Sequence, residues 1–394
     1  MDYNSNVYWS VAKKIFYNKF DALTYASQIK QRVNFSFYDD TWDKFSRLGL
    51  GTTNLNELYK KRAQQLRDEY DYLILYFSGG ADSFNVLRSF IDNGIRLDEV
   101  CVKWPMVVIE KQLYTPNTRD ATAYNYLSEW DYAIKPVLDQ LAQTHPEIKI
   151  EISDWSENFT PDIYNEENLK KVGAWNDVEI GYTLATSPNE IKLAEKGKRV
   201  ASIYGIEKPL IGYGENAWWM SFEDAAINVG IPMEHSQNTI EYFYWSPKMP
   251  ELAFEQAYCL CRYLEINPNK SKYFLGKDSK YWTPVDHQIN HQVRNNITKS
   301  VIYTTWDNKF QTNKPVLDDR SDKQSWIFSH PELTKHRDAF IDINSELLSK
   351  LDRAAYRVDH YGFQVKNKIR GRFVNVSTKW HFVKTDETVT PTVD

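Results

Sequence analysis

Tyr72-Leu73-Ile74-Leu75-Tyr76-Phe77-Ser78-Gly79-Gly80-Ala81-Asp82-Ser83 is the stretch whose reading decides the fold. Its first six residues are apolar without alternation, the pattern of a strand buried on both faces of a parallel sheet. Two glycines then permit a tight turn in which backbone can approach a ligand, and residues 83–91 continue at helical spacing. Successive amide N–H groups in such a turn, together with the helix N-terminus, converge on one place and favour an anion there. Ser78 and Ser83 add hydroxyl donors, while Asp82 either caps the helix or positions a hydrated Mg²⁺. A plain serine-glycine turn capped by Asp82 is the bland alternative. A Walker A loop would need Lys followed by Ser or Thr, and a Rossmann loop the GxGxxG spacing; neither occurs in this stretch.

Outward from this loop, residues 99–104 read as a second strand, completing a β-α-β unit. A helical stretch over 120–144, a strand over 148–152, a helix over 187–203 and a strand over 209–213 follow. This alternation predicts the α/β class, with a mostly parallel sheet covered by helices on both faces. Upstream, residues 1–68 read as a mainly helical flank, with one apolar face beginning at Trp9, Val11, Ala12 and Ile15 and another over 55–66. Past about position 230 the regularity changes. Helices are predicted over 252–264 and 339–356, and a terminal hairpin from 363–368 and 372–383 with Gly371 near its turn. The expected division is a helical flank (1–68), a nucleotide-binding domain (69–230) and an α+β region (231–394) suited to an acceptor substrate or an interaction.

At 394 residues the chain has room for two or three domains. Its 48 Lys and Arg against 53 Asp and Glu leave a formal charge of −5, which gives no general attraction to nucleic acid or membrane. A local basic groove from Lys366, Lys368, Arg370 and Arg372 would be the exception, although a solvated strand pair explains it equally. The 26 Tyr, 19 Phe and 13 Trp suit a ligand pocket or a homo-oligomer interface as well as a core. Three cysteines cannot build a disulfide framework, the start is polar, and no apolar run approaches 18 residues. Together these predict a cytoplasmic chain with no membrane partner.

The run from Tyr76 to Ser83 resembles the SGGxDS loop of the PP-loop, or N-type, ATP pyrophosphatases. That superfamily includes asparagine synthetase, GMP synthetase, tRNA-thiolating enzymes, the cyano-deazaguanine synthases and phosphoadenosine phosphosulfate reductase. The resemblance spans roughly 68–230 and implies an adenine nucleotide α-hydrolase-like fold with ATP and Mg²⁺ as cofactors. It implies that Ser78, Gly79, Gly80, Ala81, Asp82 and Ser83 grip the β and γ phosphates. It also implies that Lys103 and Trp104, ending the second strand, meet adenine through backbone contacts; an apolar strand end is the alternative. The segment Lys196 to Arg199, followed by Tyr204 to Pro209, looks like the helix and strand completing the phosphate side in phosphosulfate reductase-like members, the nearest in style. In that arrangement Arg199, on a predicted helix, and Lys208 would act with Asp82 in catalysis by neutralising charge at the α phosphate; solvated cations are the alternative for both.

Other residues follow from position. Asp154 and Trp155 follow the third strand at its carboxyl end, where open sheets place ligands; Asp154 is a candidate for Mg²⁺ or a substrate hydroxyl, with Trp155 stacking on a ring, and surface loop residues are the alternative. Gly212, Gly214, Glu215 and Asn216 suit a pocket rim; Arg119 and Asp120 suit a second substrate or a helix start. Cys259 and Cys261 with His287 and His291 offer a zinc tetrad of unorthodox spacing, or ordinary core cysteines and unrelated histidines. The cysteine-glycine-histidine motif of sulfonucleotide reduction, paired CxxC motifs, an amidotransferase domain and a four-cysteine zinc motif are all missing. The expected activity is ATP-dependent adenylation of a carbonyl, carboxylate or amide, releasing pyrophosphate, then displacement of AMP by a nucleophile: a ligase or transferase. The rivals are sulfonucleotide chemistry on Cys259 or Cys261, and a non-catalytic nucleotide-binding regulator or nucleic-acid-associated protein.

Overall fold

A computed structural model describes residues 6–45, 50–104, 106, 130–154, 185–205, 210–214, 217–224, 238–274 and 287–303, with strand pieces at 358–359, 364–365, 368–369, 372–373 and 379–382. The chain opens with β1 (Val7–Val11), β2 (Lys14–Phe16), α1 (Lys19–Ile29), β3 (Asn34–Phe37), α2 (Asp39–Lys44) and α3 (Leu55–Glu69). The expected helices are joined by an antiparallel sheet in the order β2-β1-β3, which the helical reading missed. The reason lies in the alternation: Trp9 and Val11 are buried while Tyr8 and Ser10 are less so, a period of two and not 3.6. A buried ion pair anchors this flank, Lys19 Nζ and Trp9 Nε1 each lying 2.9 Å from Asp224 Oδ2.

The centre of the molecule is a five-stranded, wholly parallel sheet. Its strands are β4 (Tyr72–Tyr76), β5 (Glu99–Trp104), β6 (Lys149–Asp154), β7 (Val200–Tyr204) and β10 (Asn238–Tyr242), in the order β10-β7-β4-β5-β6. The unbroken apolar run of β4 follows from burial on both sides. Leu73, Leu75 and Phe77 belong to the main core, whereas Ile74 and Tyr76 join Cys101, Val200 and Tyr204 in a second cluster. Over the first face, α3 packs against α4 (Ala81–Ile91). Val86, Leu87 and Phe90 of α4 are buried there, worth roughly 1.5–3 kcal/mol each. A π-helical turn (Trp130–Ile134) leads into α5 (Lys135–Thr144), whose Leu138 and Leu141 enter the same core. On the opposite face α6 (Pro188–Ala194) lies against β7 and β10. The α/β class and the parallel sheet covered on both sides are therefore observed.

Several boundaries differ from expectation. The helix predicted over 187–203 is a short helix followed by β7; Gly197, at φ +77°, marks the break. The strand predicted near 209–213 exists as β8 (Leu210–Gly214), but it pairs antiparallel with β9 (Ala217–Ser221) in a separate sheet. The fifth parallel strand, β10, lies beyond position 230, so the sheet continues past the expected division there. Farther on come α7 (Pro250–Ile266), as expected, the one-turn α8 (Pro268–Ser271) and α9 (His287–Ile302).

The terminal strands pair differently from the expected hairpin. Gln364 and Val365 (β12) pair with Ile369 and Lys368 (β13), and Arg372–Phe373 (β14) pairs with Val358–Asp359 (β11). Trp380–His381 (β15) adds to β9. The helix predicted over 339–356 lies outside the described residues. Among the described residues no helix is long and apolar enough to cross a membrane.

Candidate functional site

Counted from its first member, the parallel sheet has the order 3-2-1-4-5. From β4 the chain steps outward through β5 to β6, then returns to the other side of β4 to place β7 and β10. The winding reverses between β4 and β7, and the crevice at the carboxyl ends of two such strands is where doubly wound sheets take ligands. The Ser78-to-Ser83 loop leaves the carboxyl end of β4 at that reversal. Its neighbour across the switch is Gly205, just after β7, where an added Cβ would stand 3.0 Å from the Asp82 carbonyl oxygen, the Ser83 Cα and Val86 Cγ2.

The loop is held by its own side chains. Gly79 sits in the left-handed region at φ +71°, and a Cβ there would come within 2.7 Å of Ile134 Cγ1. Glycine is thus required twice, for conformation and for the π-helical turn packed over it. The Ser83 hydroxyl donates to the Gly80 carbonyl at 3.1 Å and accepts from the Ser78 amide at 3.2 Å. The Ser78 hydroxyl accepts from the Gly80 amide at 3.3 Å. Ser83 is buried, so its hydroxyl shapes the loop, whereas Ser78 stays on the surface. Gly80 is the N-cap of α4 and makes no side-chain cap to its first turn.

Asp82 does not cap the helix. It is the second helical residue, and its carboxylate turns toward the end of α9, where the Tyr303 hydroxyl donates to Oδ1 at 2.5 Å. Lys299 Nζ lies 3.8 Å from Oδ2. The Tyr244 hydroxyl donates to the Asp82 carbonyl at 2.8 Å and accepts from Asn85 Nδ2 at 3.0 Å. Burial, then the charge of Asp82, holds the Tyr303 phenol well above its ordinary range, so it remains a donor at neutral pH. Lys299, Tyr303 and Tyr244 were missed in the sequence because nothing local marks them.

The remaining expected residues are not gathered at the loop. Lys103 and Trp104 end β5, which runs three residues beyond the last pairing with β4, Tyr76 with Cys101. That overshoot leaves their β4-side edge beside the departing loop, but their side chains diverge. Lys103 Nζ sits 4.7 Å from the ring centre of Tyr76, which stacks on Tyr204, while Trp104 packs on Trp130. Beneath Tyr76, the buried Glu190 of α6 accepts from the Tyr76 hydroxyl at 2.5 Å and from Ser202 Oγ; burial raises its carboxyl above the ordinary range.

Asp154 is two strands from β4, roughly 10 Å at normal strand spacing. Its Oδ1 accepts the Met106 amide at 2.9 Å. Arg199 requires a correction. It precedes β7 on the amino edge of the sheet and bonds Asp71, at the equivalent end of β4, through its NH2 at 3.1 Å. That guanidinium and the Arg199 amide hold the Asp71 carboxyl down at about 2. The length of a five-residue strand, about 17 Å, separates Arg199 from the loop.

Lys208, Trp155, Glu215, Asn216, Arg119, Asp120, Lys366, Arg370 and Gly371 lie outside the described residues. Cys259 and Cys261 sit two apart on α7, about 200° around the helix axis, and so do not face one point. Burial and Glu255 push the Cys259 thiol up to about 12, and burial raises Cys261 as well, the opposite of what a thiolate nucleophile needs. The side chains of His287 and His291 are not among those described, and no group of three metal-ligating side chains occurs among the described residues. No protein-family model matches the chain, and no curated protein matches it either.

Proposed function

We propose that this chain binds the polyphosphate of ATP at the Ser78-to-Ser83 loop and transfers the adenylyl group to an oxygen of a second substrate. One observation carries this reading: a glycine-opened loop leaves the first strand of the parallel sheet at the winding reversal and enters α4 at its N-terminus, with Gly80 as the N-cap. The positive end of the α4 dipole, with Gly80 at the N-cap, and the Lys299 ammonium favour an anion there. The resemblance of the loop to the SGGxDS pattern then selects ATP over other anions.

The residues fit Mg²⁺ bound together with a polyphosphate. Asp82 offers one partly exposed carboxylate beside the loop, and Mg²⁺ commonly takes one or two protein carboxylates with phosphate and water completing its shell. When bound, the ion would neutralise charge on the β and γ phosphates. Asp154, occupied with the Met106 amide, is left out of that role. The acceptor oxygen attacks the α phosphorus as the bond from that phosphorus to the bridging oxygen breaks, and pyrophosphate departs with the electron pair. A nucleophile, an amine in the simplest case, then displaces AMP from the activated carbonyl. The protein contributes position and charge, and no side chain is asked to carry the proton.

The test uses α-labelled ATP with Mg²⁺ and a panel of carboxylate and amide acceptors. Labelled AMP and an equal amount of pyrophosphate are expected with the correct acceptor, falling at least a hundredfold in Asp82→Ala. Formation of ADP and orthophosphate, or an Asp82→Ala variant as active as wild type, would overturn the reading.

A further inference from the structure

We propose that Lys299 and Tyr303, at the carboxyl end of α9, complete the phosphate side of the site: Lys299 as the side-chain cation for the polyphosphate, Tyr303 as the residue that positions Asp82. This rests on the nucleotide reading above. It assigns to α9 the part that Arg199, on the opposite edge of the sheet, does not play.

The two residues are spaced i, i+4 and so share one side of the helix end. That end is fixed to the nucleotide loop through tyrosine hydroxyls. Tyr303 donates to Asp82 Oδ1 at 2.5 Å, and Tyr59 of α3 donates to the Ile302 carbonyl at 2.5 Å while receiving Gln256 Nε2 at 3.0 Å. Tyr244 closes the ring by bonding the Asp82 carbonyl oxygen. Tyr59, Tyr244 and Tyr303 are buried, so the carboxylate is held from a rigid side. Lys299 and Asp82, by contrast, keep 15% and 24% of their side-chain surface open.

Lys299 Nζ and Asp82 Oδ2 stand 3.8 Å apart, so the two opposite charges share one partly open place beside the loop. A magnesium polyphosphate presents the matching pair of charges, the cation for Asp82 and phosphate oxygen for Lys299. Tyr303 then serves as a positioning residue and Lys299 as a binding residue.

Calorimetric titration of the full chain with Mg²⁺-ATP, Mg²⁺-tripolyphosphate and AMP tests this. Lys299→Met should weaken ATP and tripolyphosphate by roughly ten- to a hundredfold, the worth of a charge-assisted contact, with AMP changed less than about twofold. Lys299→Arg should restore most of the loss. Tyr303→Phe should weaken ATP several-fold with Mg²⁺ present and little when EDTA replaces it. If Lys299→Met binds ATP like wild type, or loses AMP and ATP equally, the assignment to α9 is wrong while the nucleotide reading stands. If wild type binds neither ATP nor tripolyphosphate, the nucleotide reading itself fails.

Discussion

Replacing Gly79 by alanine separates the two demands that the loop makes on that position. Gly79 and Gly94 both have positive φ, +71° and +62°, but only Gly79 is crowded. A Cβ at Gly79 would meet Ile134 Cγ1 at 2.7 Å and Ala133 Cβ at 3.2 Å, whereas nothing stands within 4 Å of one at Gly94. Left-handed backbone costs alanine about 1–2 kcal/mol, and the stiffer unfolded chain returns about 0.4–1 kcal/mol. Gly94→Ala should therefore destabilise by roughly 1 kcal/mol. Gly79→Ala carries the same strain plus displacement of Ile134, a small overpacking worth about 1–3 kcal/mol, for a total of roughly 2–4 kcal/mol. Urea unfolding of wild type and both variants, compared at a common slope, measures the gap. A gap of about 1–3 kcal/mol is expected. Equal costs for the two variants would refute the packing of residues 133–134 over the loop.

Three further outcomes follow from other contacts. Gly205→Ala should loosen nucleotide binding at least several-fold, since its Cβ would press on α4 backbone at 3.0 Å; unchanged affinity would show that β7 does not support the loop. Arg62→Met should cost about 3–5 kcal/mol, because it strips the guanidinium 2.6 Å from the buried Glu241; Arg62→Met with Glu241→Gln should recover part of that, and a neutral single variant would contradict the pairing. Glu190 has its carboxyl raised by burial, so ionising it works against the fold: its stability is complete below the unfolded value and declines as pH rises toward the folded one. Glu190→Gln escapes that decline, so its stability relative to wild type should rise from pH 4 to 7; a constant difference would deny the shift.

The elements legible in sequence were those whose cause is local. β4 is announced by an apolar run ending in Ser78-Gly79-Gly80, and α4 by its spaced apolar positions, so the loop and its edge of the sheet could be placed in advance. β7 was absorbed into a helix because all five of its residues are buried, and so short an apolar run has no period to read. That error carried Arg199 to the wrong edge. At β1 the period of two was present in Trp9 and Val11 but spans only five residues. The partners of Asp82 could not be read at all. Tyr244 and Tyr303 stand 162 and 221 positions away, and only the tertiary fold brings them to the loop.

Amide hydrogen exchange over residues 78–84, with Mg²⁺-ATP, with adenosine and with neither, probes the anion-binding role of the loop without intermediaries. Exchange should slow in this segment with the triphosphate and stay unchanged with adenosine. Unaltered exchange at saturating Mg²⁺-ATP, or protection confined to other segments, would mean that the loop does not hold phosphate.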